Sequence, residues 1–245
     1  NCLFLPEIME SSIVVIPTYD EIENIEKLIR IILDLDCKFD ILVVDDSSPD
    51  KTANKVKELI PIFKNRLFLK VRKRKKGLGK AYIDGFNWAL EKKYDFIFQM
   101  DADLSHNPEN LIEMLFKLKN GSDVIIGSRY IKGTNVVNWP LSRILLSKFA
   151  SFYVNTITGM PIKDPTSGYV GFRRDVLKSI SLEKIKFVGY AFQIELKYKA
   201  WIKDYLIEEH SIIFKNRERG FSKMNSSIIW EAIYGVIILR ILGKK

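Results

Sequence analysis

The chain reads as an α/β protein: a mostly parallel central sheet with helices on both faces and an apolar C-terminal helix. Three observations predict this. Short apolar runs alternate with segments of helical periodicity along the first half of the chain. Those runs are continuous rather than alternating, as in strands buried on both faces. Several of them end in acidic or small polar residues, where ligands of open α/β sheets gather, beyond the carboxyl ends of the strands.

The elements follow in order. Ile13–Ile16 is a buried strand that stops at Pro17. Ile22–Leu35 repeats apolar residues at Ile25, Leu28, Ile29 and Ile32, one face of a helix. Ile41–Val44 is a second strand, closed by Asp45-Asp46-Ser47-Ser48-Pro49-Asp50. Thr52–Ile60 is helical, Leu67–Val71 a strand, Gly79–Glu91 a helix, Tyr94–Met100 a strand, Pro108–Leu118 a helix and Asp123–Ile126 a strand. No internal repeat or low-complexity segment interrupts them.

Bulk properties narrow the function. With 245 residues, 47% hydrophobic and 28% charged, the chain can bury a substantial core. A net charge of +9, from 39 basic and 30 acidic residues, favours polyanionic partners such as nucleotides, phospholipid surfaces or nucleic acid. Cys2 and Cys37 form no disulfide framework, which points to a reducing compartment. The isolated histidines, His106 and His210, argue against zinc. Leu3–Met9 is too short and too acidic for a signal-peptide core.

The chemistry concentrates where strands end. Asp101-Ala102-Asp103 follows an apolar strand, and two carboxylates one residue apart suit Mg²⁺ or Mn²⁺ shared with a diphosphate. Both ions prefer oxygen ligands and leave room for substrate phosphates. Adjacent Asp45 and Asp46 repel unless a cation or hydrogen-bond donor lies opposite. Asp20 and Asp50 are expected to cap helices. The turns after the first, second and fourth strands should converge on one rim. Gly77-Leu-Gly79-Lys80 misses the phosphate-loop pattern, because Ala81 follows the lysine. It reads as a flexible helix entry. The preceding Arg72–Lys76 is expected to be a solvated loop, with anionic headgroups or substrate phosphates as the functional alternative. No nucleic-acid module accompanies it, so nucleic acid is not expected as a partner.

Taken together, Val15-Ile-Pro17-Thr-Tyr19-Asp-Glu21, Val43-Val-Asp45-Asp46-Ser-Ser-Pro-Asp50, Gly77-Leu-Gly79-Lys-Ala-Tyr82, Met100-Asp101-Ala-Asp103-Leu-Ser-His106 and Gly127-Ser-Arg129-Tyr130 resemble glycosyltransferase family 2. Trp139-Pro-Leu-Ser-Arg143, Asp164-Pro-Thr-Ser-Gly168, Gly189-Tyr-Ala-Phe-Gln193-Ile-Glu195 and Arg217-Glu-Arg-Gly220-Phe-Ser222-Lys223 extend the likeness. They point to its dolichyl-phosphate (polyprenyl-phosphate) mannose synthase branch. The resemblance runs from about Ser12 to Lys223. The Gln-x-x-Arg-Trp signature of processive members is absent.

The resemblance implies a GT-A fold over residues 12–224, an N-terminal extension at 1–11 and a C-terminal helix at 225–245. It implies an inverting transfer of mannose from GDP-mannose to dolichyl or another polyprenyl phosphate, feeding glycosylation and GPI-type pathways. By motif match, Pro17, Tyr19, Glu21, Val44 and Asp46 would contact the nucleoside. Asp101, Ala102 and Asp103 would meet ribose, diphosphate and metal, with Asp103 the direct ligand. Some relatives carry a metal-binding Gln where this chain has the shorter Ser105, so water would intervene there. Gln193, Arg129, Arg217 and Lys223 would complete the donor site. Arg129, Arg143, Arg217, Ser222 and Lys223 would hold the acceptor phosphate. A UDP-sugar donor (glucose or N-acetylglucosamine) and a non-catalytic nucleotide-binding subunit are the alternatives.

A polyprenyl acceptor requires membrane access. Ile228–Leu242 is apolar but only fifteen residues long, short of the ~20 that span a bilayer. Its one polar line is Ser227, Glu231 and Gly235. Such a helix is buried, interfacial or partner-bound. Trp230, Tyr234, Lys244 and Lys245 suit headgroup level. Leu141–Ile157, carrying Arg143 and Lys148, is a second apolar helix expected to frame the lipid entrance. The expectation is peripheral association with the cytoplasmic face of a membrane, the endoplasmic reticulum in a eukaryote. Small membrane-anchoring subunits are candidate partners.

Overall fold

The computed structural model describes residues 10–216 and 226–243. Its centre is a seven-stranded sheet, flanked by helices on both sides. The amino-terminal half runs β1 (Ser12–Thr18), α1 (Ile22–Leu33), β2 (Asp40–Asp45), α2 (Thr52–Leu59), β3 (Leu67–Val71), α3 (Leu78–Glu91), β4 (Phe96–Gln99), α4 (Asn110–Lys119) and β5 (Val124–Ser128). Every strand and helix expected from the periodicity is present, with ends within two residues of those expected. Beyond them lie β6 (Val136–Val137), α5 (Leu141–Thr158), β7 (Val170–Arg173), α6 (Arg174–Ser179), α7 (Tyr190–Trp201), β8 (Ile207–Ser211), β9 (Phe214–Lys215) and α8 (Ser226–Leu242).

The strand order is β3-β2-β1-β4-β7-β5-β8. All neighbours are parallel except β7, which runs antiparallel to both β4 and β5. Successive crossovers move outward from β1 to β3 and then return past β1 to β4. The carboxyl ends of β1 and β4 therefore flank the point where the winding reverses, the crevice in which such sheets bind ligands.

Alternate side chains of β1 face opposite cores. Ile13 and Val15 pack on the face covered by α3 and α7, while Val14 and Ile16 pack beneath α1 and α4. All four are fully buried, which is why the run is apolar without alternation. Helix α3 lies so close to the sheet that a Cβ at Gly85 would stand 2.3 Å from Val15 Cγ1.

Helix α8 is part of this body. Val236 and Leu239 are buried in the core that also contains Phe192 and Leu196 of α7. Gly235 faces protein: a Cβ there would stand 3.0 Å from the Phe187 ring. The Glu231 carboxylate accepts the amides of Val188 at 2.9 Å and Gly189 at 3.3 Å, at the start of α7. Among the described residues no helix is long and apolar enough to cross a membrane.

Candidate active site

The turns after β1 and β2 are tied together. Thr18 Oγ1 donates to Asp45 Oδ2 at 2.9 Å, and Asp46 N donates to Thr18 O at 3.0 Å. Asp45 also accepts from Ser48 N and Ser48 Oγ. Its neighbour Asp46 lies 2.8 Å from the Arg72 guanidinium. The adjacent carboxylates thus meet the donors and the cation that their repulsion demands. Burial still leaves the Asp46 carboxyl above its ordinary range, against the pull of Arg72.

Two expectations change here. Arg72 is no solvated cation: its side chain is 6% exposed and also pairs with Asp84 at 2.9 Å. It folds inward because the Asp46 carboxylate needs a counter-charge. Asp20 does not cap α1. It precedes the N-cap, Glu21, and adopts a positive φ of 55° while its amide donates to Ser48 Oγ. Asp50 supplies the capping instead, accepting from Ile22 N of α1 and Thr52 N of α2.

The other nucleoside-side candidates line the same rim. Pro17 pairs in register with Val44, and the Lys75 ammonium sits 3.8 Å above the Tyr19 ring. Glu21 Oε2 accepts from Asn24 Nδ2. Val44 and Ala102 have their side chains in the core, so neither presents a side chain to a ligand.

Beyond β4, Asp101 Oδ1 accepts from Tyr82 Oη at 3.0 Å. Tyr82 is buried between Phe86 and Phe192. Burial and the Asp101 charge push its hydroxyl well above its usual range, so it remains a donor. Asp103 Oδ1 accepts from Ser105 N at 3.1 Å. The Ser105 hydroxyl is buried with no hydrogen-bond partner among the described residues. Two carboxylates and one orphaned hydroxyl form an all-oxygen donor set that fits Mg²⁺ or Mn²⁺. Among the described residues, no group of three or more His, Cys, Asp or Glu could hold a metal.

A cavity of about 420 Å³ opens beside Asp101. Its polar end carries Asp101, His106, Arg129, Arg143, Thr166 and Ser167, and its apolar wall is Leu146, Phe149, Ala150, Tyr153, Val154, Ala232 and Ile233 from α5 and α8. The second apolar helix expected from the sequence lines this cavity, together with α8.

Arg129 is clamped at the polar end. Its Nε and Nη2 donate to the two Asp164 oxygens at 2.7 and 2.6 Å, and Nη2 also donates to Thr166 Oγ1 at 2.9 Å. Trp139 and Phe214 lie against the same guanidinium. Burial pushes the Asp164 carboxyl up, but the Arg129 pairing outweighs it and holds the group below its ordinary value. Arg143 stacks on Trp139 at 4.0 Å and donates to Asn216 Oδ1. His106 lies parallel to Tyr169, and burial drives its imidazole down to about 4. Gln193 is buried and accepts from Gln99 Nε2, while its own Nε2 has no hydrogen-bond partner among the described residues.

The structure therefore brings Asp101, Arg129 and Arg143 to one cavity, with Asp103, Ser105 and Gln193 close in chain or in space. Arg217, Ser222 and Lys223 lie outside the described residues. Sequence reasoning gave no role to Tyr82, His106, Asp164 or Lys197, and read Arg72 as part of a solvated run. Glycine-spaced Tyr82 and the acid of Asp164-Pro-Thr-Ser-Gly168 were visible in motifs. Their partners, Asp101 and Arg129, are 19 and 35 residues away.

An acidic rim at the switch point of a mostly parallel sheet, with helices on both faces, is the arrangement of GT-A glycosyltransferases. The chain belongs to glycosyltransferase family 2, since the family model described as "Glycosyl transferase family 2" matches residues 13–181. It is 41% identical over 235 residues to the polyprenol monophosphomannose synthase of Mycolicibacterium smegmatis, covering 96% of this chain and 89% of that one. It is 39% identical to the undecaprenyl-phosphate mannosyltransferase of Micrococcus luteus, covering 91% of this chain and 90% of that one. Against the dolichol-phosphate mannosyltransferase of Pyrococcus furiosus it is also 39% identical, covering 89% of this chain and 60% of the relative. Among solved structures, the Mycobacterium tuberculosis glucosyl-3-phosphoglycerate synthase with Mn²⁺, UDP and glucosyl-3-phosphoglycerate superposes with a TM-score of 0.65. That match covers 96% of this chain and 79% of that one at 16% identity, and carries the fold alone.

Proposed function

We propose that this protein transfers mannose from GDP-mannose to a polyprenyl phosphate, dolichyl phosphate included, with inversion at the anomeric carbon. One observation carries the reading: a single cavity combines carboxylate and guanidinium groups with an apolar wall from α5 and α8. A lipid phosphate likewise combines an anionic head with a hydrocarbon tail. The three relatives named above, all of them polyprenyl- or dolichyl-phosphate mannosyltransferases by name, support it.

The residues divide the work. Pro17, Tyr19, Glu21 and Asp46 would receive the nucleoside. Asp103, with Asp101 and Ser105, would hold Mg²⁺ or Mn²⁺, which when bound supplies Lewis-acid stabilisation of charge on the departing diphosphate. A phosphate monoester has its second ionisation near about 6 and is largely dianionic at neutral pH. The acceptor therefore needs no general base, in contrast to a sugar hydroxyl. It needs to be gripped, which falls to Arg129 and Arg143, with Arg217, Ser222 and Lys223 completing the set. Incubation with radiolabelled GDP-mannose, UDP-glucose and UDP-N-acetylglucosamine, each with Mn²⁺ and polyprenyl phosphate, tests the assignment. Label should enter the organic phase only from GDP-mannose; label from a UDP-sugar alone would overturn the donor.

The outer faces of α5 and α8 bear on where the reaction occurs. Leu141, Leu145, Phe149 and Phe152 of α5 are 59–69% exposed, and Ile241 and Tyr234 of α8 are 63% and 61% exposed. An apolar face of this extent suits the surface of the membrane that carries the lipid. Lys148 and Arg240 beside it favour anionic headgroups. In flotation assays the protein should rise with liposomes, more so when they contain anionic lipid. Recovery in the bottom fraction with both compositions would remove peripheral binding.

A further inference from the structure

Lys197 of α7 is completely buried, yet no carboxylate accepts a hydrogen bond from it among the described residues. Its Nζ donates to the carbonyl oxygens of Pro165 at 3.0 Å, Ser167 at 2.6 Å and Gln193 at 3.2 Å. Three acceptors around one nitrogen use all three protons of an ammonium. A methionine of similar volume would fill the space without burying a charge, but it would leave these carbonyls without their donor. The bonds fix one conformation of the loop.

That loop is held from both sides. The Glu209 carboxylate accepts the amides of Lys163 and Asp164 at 2.9 and 3.0 Å, while Lys197 gathers the carbonyls of Pro165 and Ser167. Between the two grips, Asp164 and Thr166 clamp Arg129. Gly168 lies against Asp101, whose Oδ2 would be 3.5 Å from a Cβ placed there.

We propose that Lys197 is a positioning residue for the acceptor phosphate: its ammonium sets the 164–168 loop, and through Asp164 the loop sets the Arg129 guanidinium in the cavity. The inference rests on the reading of that cavity as the acceptor site. The charged groups facing the ammonium are Asp164 and Glu209, which favour it, and Arg129, which opposes it. Burial outweighs them and brings its pKa down to about 7. Above that value the lysine loses a proton and one of its three bonds, and the grip on the loop slackens.

The pH dependence separates this role from plain structural support. An unfolded lysine titrates near about 10.4, so between about pH 7 and 10 the unfolded chain binds the extra proton and this group makes the fold no weaker as pH rises. Loosened acceptor binding over that interval is therefore not loosened folding. The experiment is calorimetric titration of the protein with farnesyl phosphate from pH 7 to 9, where the phosphate is already dianionic. GDP binding and thermal melting are followed in parallel.

Farnesyl phosphate affinity should fall by about fivefold across this range, since one lost hydrogen bond is worth about tenfold and half of the lysine has already lost its proton at pH 7, while GDP affinity stays within about twofold. In Lys197→Met the lipid-phosphate affinity should be low at every pH and flat. A flat wild-type profile overturns the proposal, even if Lys197→Met does not fold. So does a Lys197→Met profile that keeps the wild-type slope. Failure of farnesyl phosphate to bind at any pH would remove the acceptor-site reading itself, and the role of Lys197 with it.

Discussion

Asp103→Ala should lower mannosyl transfer by about a thousandfold or more and abolish Mn²⁺ binding measured by calorimetry. The fold should survive. The Asp103 carboxylate accepts the Ser105 amide within its own turn, and losing a bond of that kind costs about 1 kcal/mol. The melting temperature and far-ultraviolet circular dichroism should therefore stay near wild type. The size of the expected effect follows from the sparseness of the site. With two carboxylates and a hydroxyl on the rim, a divalent ion held there would depend on each oxygen. Near-normal turnover by the alanine variant would take the metal away from this rim.

The second large effect concerns stability. Asp164 is wholly buried and makes a two-pronged contact with an Arg129 side chain only 10% exposed. Asp164→Ala leaves that guanidinium enclosed without its counter-charge, and removing one partner of a buried pair costs about 3–5 kcal/mol. Urea denaturation of wild type and variant measures the loss directly. A difference below about 1 kcal/mol would mean that Arg129 finds water or another partner. Replacing both residues, Asp164→Ala with Arg129→Met, should cost less than the single change. The sign with pH is also fixed. The folded carboxyl titrates below its ordinary value, so its contribution is complete above the unfolded pKa of about 3.9 and is lost as pH falls through the folded one.

Legibility in the sequence differed between the two halves of the molecule. Strands β1, β2, β4 and β5 could be read because each is buried almost throughout and so carries a continuous apolar run, while β3, a half-buried edge strand, kept enough apolar residues to show. Helix α1 could be read because one face alone meets the core. The other elements lack such marks. Strand β8 is Ile-Glu-Glu-His-Ser, an edge strand with every residue half-exposed, and its alternation is too polar to announce a strand. Helix α7 is buried nearly all round, so Gln193 and Lys197 sit among Phe192, Ile194 and Leu196 without a polar face to betray their direction. Strand β7 is four residues long and reverses the sheet, a pairing that depends on β4 and β5 rather than on its own composition.

The same division holds at the site. Asp101 and Asp103 stood out because other motifs accompany that strand end, and Arg129 and Arg143 stood out through motifs of their own; the fold brings Asp101, Arg129 and Arg143 to one cavity. Arg72 looked like one of five consecutive cations. Its inward turn depends on Asp46 and Asp84, residues that no local window contains. Lys197 needed three carbonyls from two separate segments, which only the folded chain assembles.

The bond from Glu231 to the amides of Val188 and Gly189 has a mechanical consequence. Val188 also accepts the amide of Gly79 at 2.8 Å, in the first turn of α3. Three residues further along α3, Tyr82 touches Asp101. Helix α8 is thus tied to the Asp101 carboxylate through three hydrogen-bonded junctions, at Glu231, Val188 and Tyr82, joined by one turn of α3.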